Sequence, residues 1–323
     1  MPKISVIIPV YGVENYIERC AKSLFEQTLD DIEYIFIDDC SPDKSLDVLM
    51  NVIDLYPHLK SNIVIIRNSQ NLGPSATRNK GFEVCSGDYV ICCDSDDFLE
   101  KNAYELMYTE AVKEQAEIVS CGMCGGGSVY EGVALFNSLE SIARESLYDI
   151  TKIEGVLYSS ACNKLVKREL LKKHSLGFHE DVKMWDDLFL VFRMRYYAQK
   201  TAIVNLPLYH YVERENSIIK TNFIEKSRSQ IKCAELIESF IKEHNEYSSF
   251  ERVIEFLKFR ARDILFQDEY IETWIKEIKN SRVIFFIPFY GIMRTMLYCF
   301  VKFGGIKAWN LLKTYRKIKN SIL

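Results

Sequence analysis

Three short clusters of aspartate, among the acidic pairs of this chain, suggest a site for a cation and a phosphorylated substrate. The clusters are Asp38-Asp39, Asp94-Ser95-Asp96-Asp97 and Asp186-Asp187. Neighbouring carboxylates repel one another unless a cation or hydrogen-bond donors neutralise them, and Mg²⁺ or Mn²⁺ binds carboxylates together with substrate phosphates. A carboxylate can also take a proton from a hydroxyl group, which makes that hydroxyl a better nucleophile.

The first two clusters directly follow predicted β-strands. Apolar runs at 4–9, 32–37, 63–66 and 89–93 recur roughly every thirty residues, and apolar residues at helical spacing fill the first two intervals. This alternation fits βαβ units with parallel strands buried on both faces, and a helix is predicted to begin at Ser41-Pro42. Ligands bind at the carboxyl ends of such strands, so we expect the segments that follow them to share one site.

The pattern of the remaining chain predicts two further regions. Residues 101–215 combine a helix near 102–115, a strand near 118–121 and further helices, whereas the pattern after Tyr211 is mostly helical. We therefore predict an α/β domain at 1–215, with halves at 1–100 and 101–215, and a helical region at 216–323.

Composition and charge exclude several classes of protein. The chain is 48% hydrophobic and 27% charged, as in ordinary globular proteins, and its net charge of -4 argues against nucleic-acid binding. Dinucleotide and P-loop sites are poor alternatives, because no glycine-rich phosphate loop follows the first predicted strand. The ten cysteines are expected to be reduced thiols of a cytoplasmic protein, since Met1-Pro2-Lys3 leads straight into a strand without a signal peptide.

Five motifs, in order, resemble those of glycosyltransferase family 2, of GT-A fold, in the branch that builds capsular, exopolysaccharide and lipopolysaccharide glycans. They are Ser5–Tyr11, Phe36–Ser41, Asn71–Gly81, Asp94–Asp97 and Trp185–Asp187. The resemblance implies a Rossmann-like, mostly parallel sheet with flanking helices, followed by a helical C-terminal extension. It also implies that 1–100 binds the nucleotide and that 101–215 binds the acceptor.

The resemblance assigns the candidate site residues to three roles. The donor, a nucleotide-diphosphate sugar, would be bound by Pro9, Tyr11, Asp38, Asp39, Arg78, Asp94 and Ser95. Within this set Pro9, Tyr11 and Asp39 would line a uridine pocket, Asp38 would support the same turn, and Arg78 would lie near the diphosphate. Asp96, with Asp94, would hold Mn²⁺ or Mg²⁺, a Lewis acid for the departing phosphate. Asp187 would be the general base, with Asp186 as the alternative.

Two further segments have open interpretations. Asn163-Lys164-Leu165 resembles a family segment near the acceptor, but a purely structural role is equally compatible with its sequence. His210 lies where the family closes its site over the donor, so it is either a phosphate or metal ligand or a packed residue.

The predicted reaction is direct displacement with inversion, in which one sugar is transferred per encounter to a growing, polyprenyl-linked glycan. Processive members carry a Gln-x-x-Arg-Trp box and transmembrane helices, and neither is evident here. The sequence departs from the family pattern at Cys40, usually a glycine, and at Asp186, usually a glutamate. A nucleotidyltransferase and a non-catalytic sugar-binding or scaffold protein are the alternative functions.

The C-terminal region predicts attachment to a membrane surface. No acidic residue follows Glu277, whereas nine basic residues do, and residues 283–319 form a basic amphipathic segment. Tyr298 and Lys302 fall on its polar stripe, with Met296, Phe300 and Val301 on the other side. We expect a helix that lies on an anionic membrane, which would make the protein peripheral on the inner face of the cell membrane. Packing of this helix on the catalytic domain, or on a partner in a homodimer, is the alternative.

Overall fold

In a computed structural model, the chain folds into two compact units. The structure describes residues 1–125, 132–137, 144–149, 156–213, 222–278 and 287–322, and gives side chains except at 156–157, 287–295 and 315–322. The first unit comprises 1–147 and 154–218, and the second comprises 148–153 and 219–323.

The first unit is built on a mixed β-sheet. Its strands, in the described part of the chain, are β1 (Ile4–Val10), β2 (Ile32–Asp38), β3 (Ile63–Arg67), β4 (Tyr89–Cys92), β5 (Phe98–Leu99), β6 (Ile118–Gly125), β7 (Gly132–Ala134), β8 (Lys164–Lys167) and β9 (Thr201–Tyr211). Their order is β3-β2-β1-β4-β8-β6-β9-β5, and β7 pairs with β6. The first four strands are parallel to one another, whereas β8 is antiparallel to both of its neighbours, β4 and β6.

Helices cover this sheet and form the second unit. They are α1 (Ile17–Phe25), α2 (Ser45–Asp54), α3 (Pro74–Val84), α4 (Ala103–Glu114), α5 (Val156–Ser159), α6 (Arg168–Lys173), α7 (Asp186–Tyr197), α8 (Phe223–Glu243), α9 (Tyr247–Asp263), α10 (Ile271–Glu277) and α11 (Ile287–Ile322). The predicted α/β fold with a helical C-terminal extension is therefore confirmed.

Two local predictions about residues 1–100 are wrong. The second helix begins at Ser45 rather than at Ser41-Pro42, because the Ser41 N–H donates to Asp38 and its hydroxyl donates to the Val10 carbonyl. The third strand is not buried on both faces: β3 is at the edge of the sheet, and Val64 and Ile65 are partly exposed.

Gly81 determines how closely α3 approaches the central strand β1. A Cβ atom added at this glycine would lie 2.4 Å from Cγ2 of Ile7, a fully buried residue. We expect Gly81→Ala to lower the free energy of unfolding by about 1–3 kcal/mol, the usual cost of overpacking a core. Urea unfolding would measure this, with Glu83→Ala on the exposed side of the same helix as the control. An unchanged midpoint for Gly81→Ala would contradict this explanation.

The second unit packs one face of its long C-terminal helix against shorter helices. Tyr298, Val301, Ala308 and Trp309 of α11 are buried, and the Tyr298 hydroxyl donates to Asp263 of α9. The Tyr298 ring packs edge-on against Phe259 at 5.3 Å. The predicted polar stripe is therefore wrong at Tyr298, and the predicted apolar stripe is wrong at Val301, because protein covers both residues. The residues of the predicted segment before Ile287, and its side chains at 287–295 and 315–319, lie outside the described residues.

The opposite face of α11 is exposed and apolar. Met296, Phe300, Phe303, Ile306 and Leu311 are all exposed. Among the described residues, no helix has the length and apolar character needed to cross a membrane.

Candidate active site

The ends of β1, β2 and β4 bring three sequence motifs to one edge of the sheet. Pro9 pairs with Ile37 and Val10 with Asp38, so the ends of β1 and β2 are level with each other. Cys93 follows β4 and precedes Asp94, and its N–H donates to the carbonyl of Ile7 in β1. Tyr11 is exposed beyond the end of β1, Pro9 is partly buried and Ser95 is buried. The predicted donor-binding residues Pro9, Tyr11 and Asp94 thus lie along one edge.

Asp39 organises the turn that begins α3. One carboxylate oxygen accepts from the Leu72 N–H at 2.9 Å and from the Asn68 side chain at 2.7 Å, and the other accepts from the Gly73 N–H at 2.9 Å. Asp38 is buried beside it and pairs with Arg67 at 3.1 Å. Asp38 also accepts from the Ser41 N–H in the turn after β2. Its predicted support of the uridine pocket and the predicted contact of Asp39 with uridine stay predictions.

Arg78 joins the second and third acidic clusters. Its guanidinium lies 2.7 Å from Oδ1 of Asp94 and 3.3 Å from Oδ2 of Asp186. Arg78 is only 8% exposed. The three carboxylates Asp94, Asp187 and Asp186 oppose the cost of burial and hold the pKa of Arg78 well above its usual value. In this structure Arg78 binds protein carboxylates, so the predicted proximity to the diphosphate is not tested by its contacts.

The two neighbouring carboxylates at the start of α7 differ in their partners. Asp186 faces Arg78 and also lies 3.4 Å from the Ser75 hydroxyl. Asp187 instead accepts a hydrogen bond from the N–H of Ala161 on Oδ2 at 3.1 Å, and its buried Oδ1 accepts none from the residues that the structure describes. Burial, followed by the negative charge of Asp186, raises the pKa of Asp187 to about 7. Asp187 therefore has the proton affinity and the spare oxygen that a general base needs.

Asp97 has a structural role that the sequence pattern does not predict. Its carboxylate accepts from the Tyr209 hydroxyl at 2.5 Å and from the Val212 N–H at 2.8 Å, and the Tyr209 oxygen accepts from the Asp94 N–H. Burial and the charges of Asp96 and Asp94 raise its pKa well above the usual value. Asp97 thus ties the end of β9 to the loop that carries the predicted metal ligands. The sequence pattern does not predict strand β9, so it could not place Tyr209 and Val212 beside Asp97.

The loop after β4 has a donor set that fits a hard divalent cation. Asp94 and Asp96 are both partly exposed, and Oδ1 of Asp94 also pairs with Arg78 at 2.7 Å. Among the described residues, no group of three or more histidine, cysteine, aspartate or glutamate side chains could hold a metal ion. Mg²⁺ is commonly bound by one or two carboxylates together with substrate phosphates, so two carboxylates suffice when the donor supplies the rest.

The residues with open interpretations are either buried or in contact with other side chains of the protein. Asn163 and Lys164 are 0% and 1% exposed, so their side chains are not acceptor contacts in this structure. His210 stacks on Phe98 at 4.3 Å, and its ring nitrogen lies 2.7 Å from Glu100. The packed alternative describes His210 in this structure.

Comparison with known proteins identifies the family. The chain is 28% identical to the putative glycosyltransferase EpsH of Bacillus subtilis over 79% of its own length and 73% of that protein. It is 29% identical to the poly(ribitol-phosphate) beta-glucosyltransferase of Bacillus spizizenii over 78% of its length, but spans only 41% of that longer relative.

Solved structures with the same fold bind nucleotide sugars. S. aureus TarS 1-349 superposes with a TM-score of 0.67 at 18% identity over 98% of this chain and 91% of that one. The same TarS fragment has been solved with UDP-GlcNAc, and that structure superposes with a TM-score of 0.59 at 17% identity over 91% of this chain and 90% of that one. The mannosyltransferase PcManGT from Pyrobaculum calidifontis, in complex with GDP-Man and Mn²⁺, has a TM-score of 0.61 at 14% identity over 98% of this chain and 80% of that one.

The family model described as glycosyl transferase family 2 matches residues 5–175, which include the first four of the five motifs and the loop that contacts Asp187. This match covers more than half of the chain and agrees with the relatives and with the fold. The chain therefore belongs to glycosyl transferase family 2 and is a glycosyltransferase.

Proposed function

We propose that this enzyme is an inverting, non-processive glycosyltransferase that moves a sugar from a nucleotide-diphosphate sugar, preferably a UDP-sugar, to a hydroxyl group of a growing cell-surface glycan. The observation that carries the proposal is the contrast between the two carboxylates at the start of α7. Asp186 pairs with Arg78 at 3.3 Å, whereas Asp187 has an oxygen without a donor among the described residues. Burial raises the pKa of both carboxylates, and that of Asp187 to about 7. The donor preference is supported by the UDP-GlcNAc bound to TarS.

In the proposed reaction Asp187 takes the proton of the acceptor hydroxyl as its oxygen attacks the anomeric carbon. The new bond joins that oxygen to the anomeric carbon, and the bond from this carbon to the diphosphate oxygen breaks. The nucleoside diphosphate leaves with the bonding electrons, and the configuration of the sugar is inverted. One carboxylate is enough, because the diphosphate leaves without the protonating carboxylate that glycosidases need.

Asp94 and Asp96 are proposed to hold Mn²⁺ or Mg²⁺ with the donor diphosphate. When bound, the cation stabilises the negative charge that develops on the leaving phosphate. Arg78 keeps Asp94 and Asp186 in fixed positions on two sides of one guanidinium. Asp39 holds the turn that begins α3 through the N–H groups of Leu72 and Gly73.

Release of nucleotide from a panel of UDP- and GDP-sugars in the presence of Mn²⁺ tests the reaction class. We expect slow release of the nucleoside diphosphate without acceptor and faster release with glycan acceptors, and NMR would report the anomeric configuration of the product. Retention of configuration would contradict direct displacement. Pyrophosphate release from UTP or GTP in the presence of a sugar 1-phosphate would support the nucleotidyltransferase alternative, and no turnover with any of these substrates would support a scaffold.

The exposed face of α11 is proposed to lie on the cytoplasmic surface of the membrane, where a polyprenyl-linked acceptor would be found. Met296 is 66% exposed and Phe303 is 81% exposed, and Lys302 and Lys307 lie on the same helix. Apolar side chains beside lysines are suited to the boundary between anionic headgroups and acyl chains. The described part of the helix carries no acidic side chain that would repel such a surface.

We expect Phe303→Glu to weaken binding to vesicles of anionic phospholipid roughly tenfold or more, because insertion of a phenylalanine contributes about 1.5–3 kcal/mol. A sedimentation assay at low and high salt would measure this. Leu55→Glu is the matched control, because Leu55 is 66% exposed in the first unit. Point variants are preferable to truncation, since α11 also supplies the buried Tyr298 and Trp309. Equal binding by both variants and the parent enzyme would refute membrane attachment through this face.

A further inference from the structure

A buried lysine lies behind the proposed base. The ammonium nitrogen of Lys164 is 2.7 Å from the carbonyl oxygen of Ser160 and 2.8 Å from the side-chain oxygen of Asn163. Lys164 is 1% exposed, so neither the sugar donor nor the glycan acceptor can reach it in this arrangement. A lysine that is enclosed to this extent requires an explanation, because burial of its charge costs free energy.

The contacts of Lys164 lead to Asp187 through a single peptide group. The Ser160 carbonyl and the Ala161 N–H belong to the same planar unit. Lys164 donates to the oxygen of this unit, and Oδ2 of Asp187 accepts from its nitrogen at 3.1 Å. A cation at the oxygen and a carboxylate at the N–H both favour one orientation of the peptide dipole. The opposite orientation would turn the carbonyl oxygen toward the Asp187 carboxylate and repel it.

Asn163 anchors this arrangement to the sheet. Its side-chain nitrogen donates to the carbonyl of Cys121 in β6 at 2.8 Å, and its side-chain oxygen accepts from Lys164. The backbone carbonyl of Asn163 also accepts from the Cys121 N–H at 3.0 Å. The turn between α5 and β8 is thus fixed to β6 on one side and to Asp187 on the other.

We propose that Lys164 is a positioning residue for Asp187, and that it acts by fixing the orientation of the Ser160–Ala161 peptide. This inference rests on the proposed function, in which Asp187 is the general base. Lys164 does not touch substrate, so its removal should impair the chemical step and leave donor binding intact. Burial, together with the charge of Arg195, lowers the pKa of Lys164 to about 7. The neutral amine still has two N–H groups for the oxygens of Ser160 and Asn163, so these two contacts do not depend on its protonation state.

The first test is Lys164→Met, which removes the donor but keeps most of the apolar volume. We expect kcat to fall roughly 10- to 100-fold, as misplacement of a catalytic group does, with KM and Kd for the donor within about twofold of the parent values. Lys167→Met, on the same strand β8 with a side chain that is 44% exposed, is the matched control and should retain parental kcat. An unchanged kcat in Lys164→Met, or a parallel loss of donor affinity, would overturn the proposal.

A double-mutant cycle then asks whether Lys164 acts through Asp187. If it does, Lys164→Met combined with Asp187→Asn should be no slower than Asp187→Asn alone. Losses that multiply would overturn the inference and leave the proposed function intact. Full activity of Asp187→Asn alone would instead contradict the proposed function.

A backbone substitution keeps the proposal testable if Lys164→Met does not fold. Replacement of Ala161 with lactic acid converts the 160–161 amide to an ester and removes the N–H that faces Asp187. One backbone atom changes, and every side chain stays the same. We expect the same pattern, a lower kcat with donor binding retained. Parental kcat in this ester variant would show that the peptide group does not hold the base.

Discussion

Replacement of Asp187 with asparagine is expected to lower kcat roughly 10²- to 10⁴-fold, the usual contribution of a general base. Asparagine keeps the shape of the side chain and can still accept from the Ala161 N–H, but it cannot take a proton. Donor affinity should stay close to the parent value, because the lost interaction belongs to the transition state. Stopped assays of product formation and calorimetric titration with donor would measure the two effects separately.

Asp186→Asn is the comparison that separates the neighbouring carboxylates. It removes a charge that pairs with Arg78 and should loosen the link to Asp94. We expect a smaller loss of kcat than in Asp187→Asn. If Asp187→Asn were fully active and Asp186→Asn inactive, the base would be Asp186.

The pH dependence of the reaction should report the same group. A base is active when deprotonated, so kcat/KM should rise with pH through the pKa of the free enzyme's base. Burial and Asp186 raise the pKa of Asp187 to about 7, so activity should be lost as the pH falls below about 7 rather than below about 4. The residual activity of Asp187→Asn should lack this limb.

Replacement of Asp96 with asparagine is expected to weaken donor binding and metal dependence together. The cation would join a protein carboxylate to the diphosphate, so loss of the carboxylate should raise the donor Kd by roughly 10- to 100-fold or more, since even residues that only support metal ligands have effects of this size. Titration of UDP-sugar with Mn²⁺ and with EDTA would measure both effects. Asp88→Asn is the control, because Asp88 is exposed at the start of β4, away from its carboxyl end.

Equal donor affinity with Mn²⁺ and with EDTA in the parent enzyme would contradict the metal assignment. If Asp96→Asn and Asp88→Asn weakened binding alike, the effect would come from net charge rather than from a metal ligand.

The local sequence pattern is sufficient to predict the main strands of residues 1–100. The apolar runs that predicted strands correspond to β1, β2, β3 and β4, and the predicted helix and strand after residue 101 correspond to α4 and β6. These elements have continuous apolar faces and close neighbours in sequence. The edge position of β3 could not be predicted, because nothing in its own sequence states that no strand follows it in the sheet.

The other half depends on pairings between distant residues. The strands β8 and β9 were not recognised, because Lys164–Lys167 is short and basic at both ends and Thr201–Tyr211 contains Asn205 and Pro207. The contact between Ala161 and Asp187, and the buried position of Lys164, arise only when β8 enters the sheet between β4 and β6. The motif resemblance could suggest Asp187 as the base, but it could not predict that the Ser160–Ala161 peptide group contacts the Asp187 side chain.

The backbone at Cys40 bears on how motifs of this kind are compared. Cys40 has a φ of 61° in the turn after Asp39, a conformation that costs an L-residue roughly 1–2 kcal/mol and costs glycine little. At this departure from the family pattern, the residue that stands in place of glycine thus has a backbone conformation that glycine adopts readily. A comparison by residue type scores Cys40 as a mismatch, although its φ of 61° is an angle that a glycine adopts without strain. Motif searches that include backbone angles should therefore recover members that have replaced this glycine and tolerate the strain.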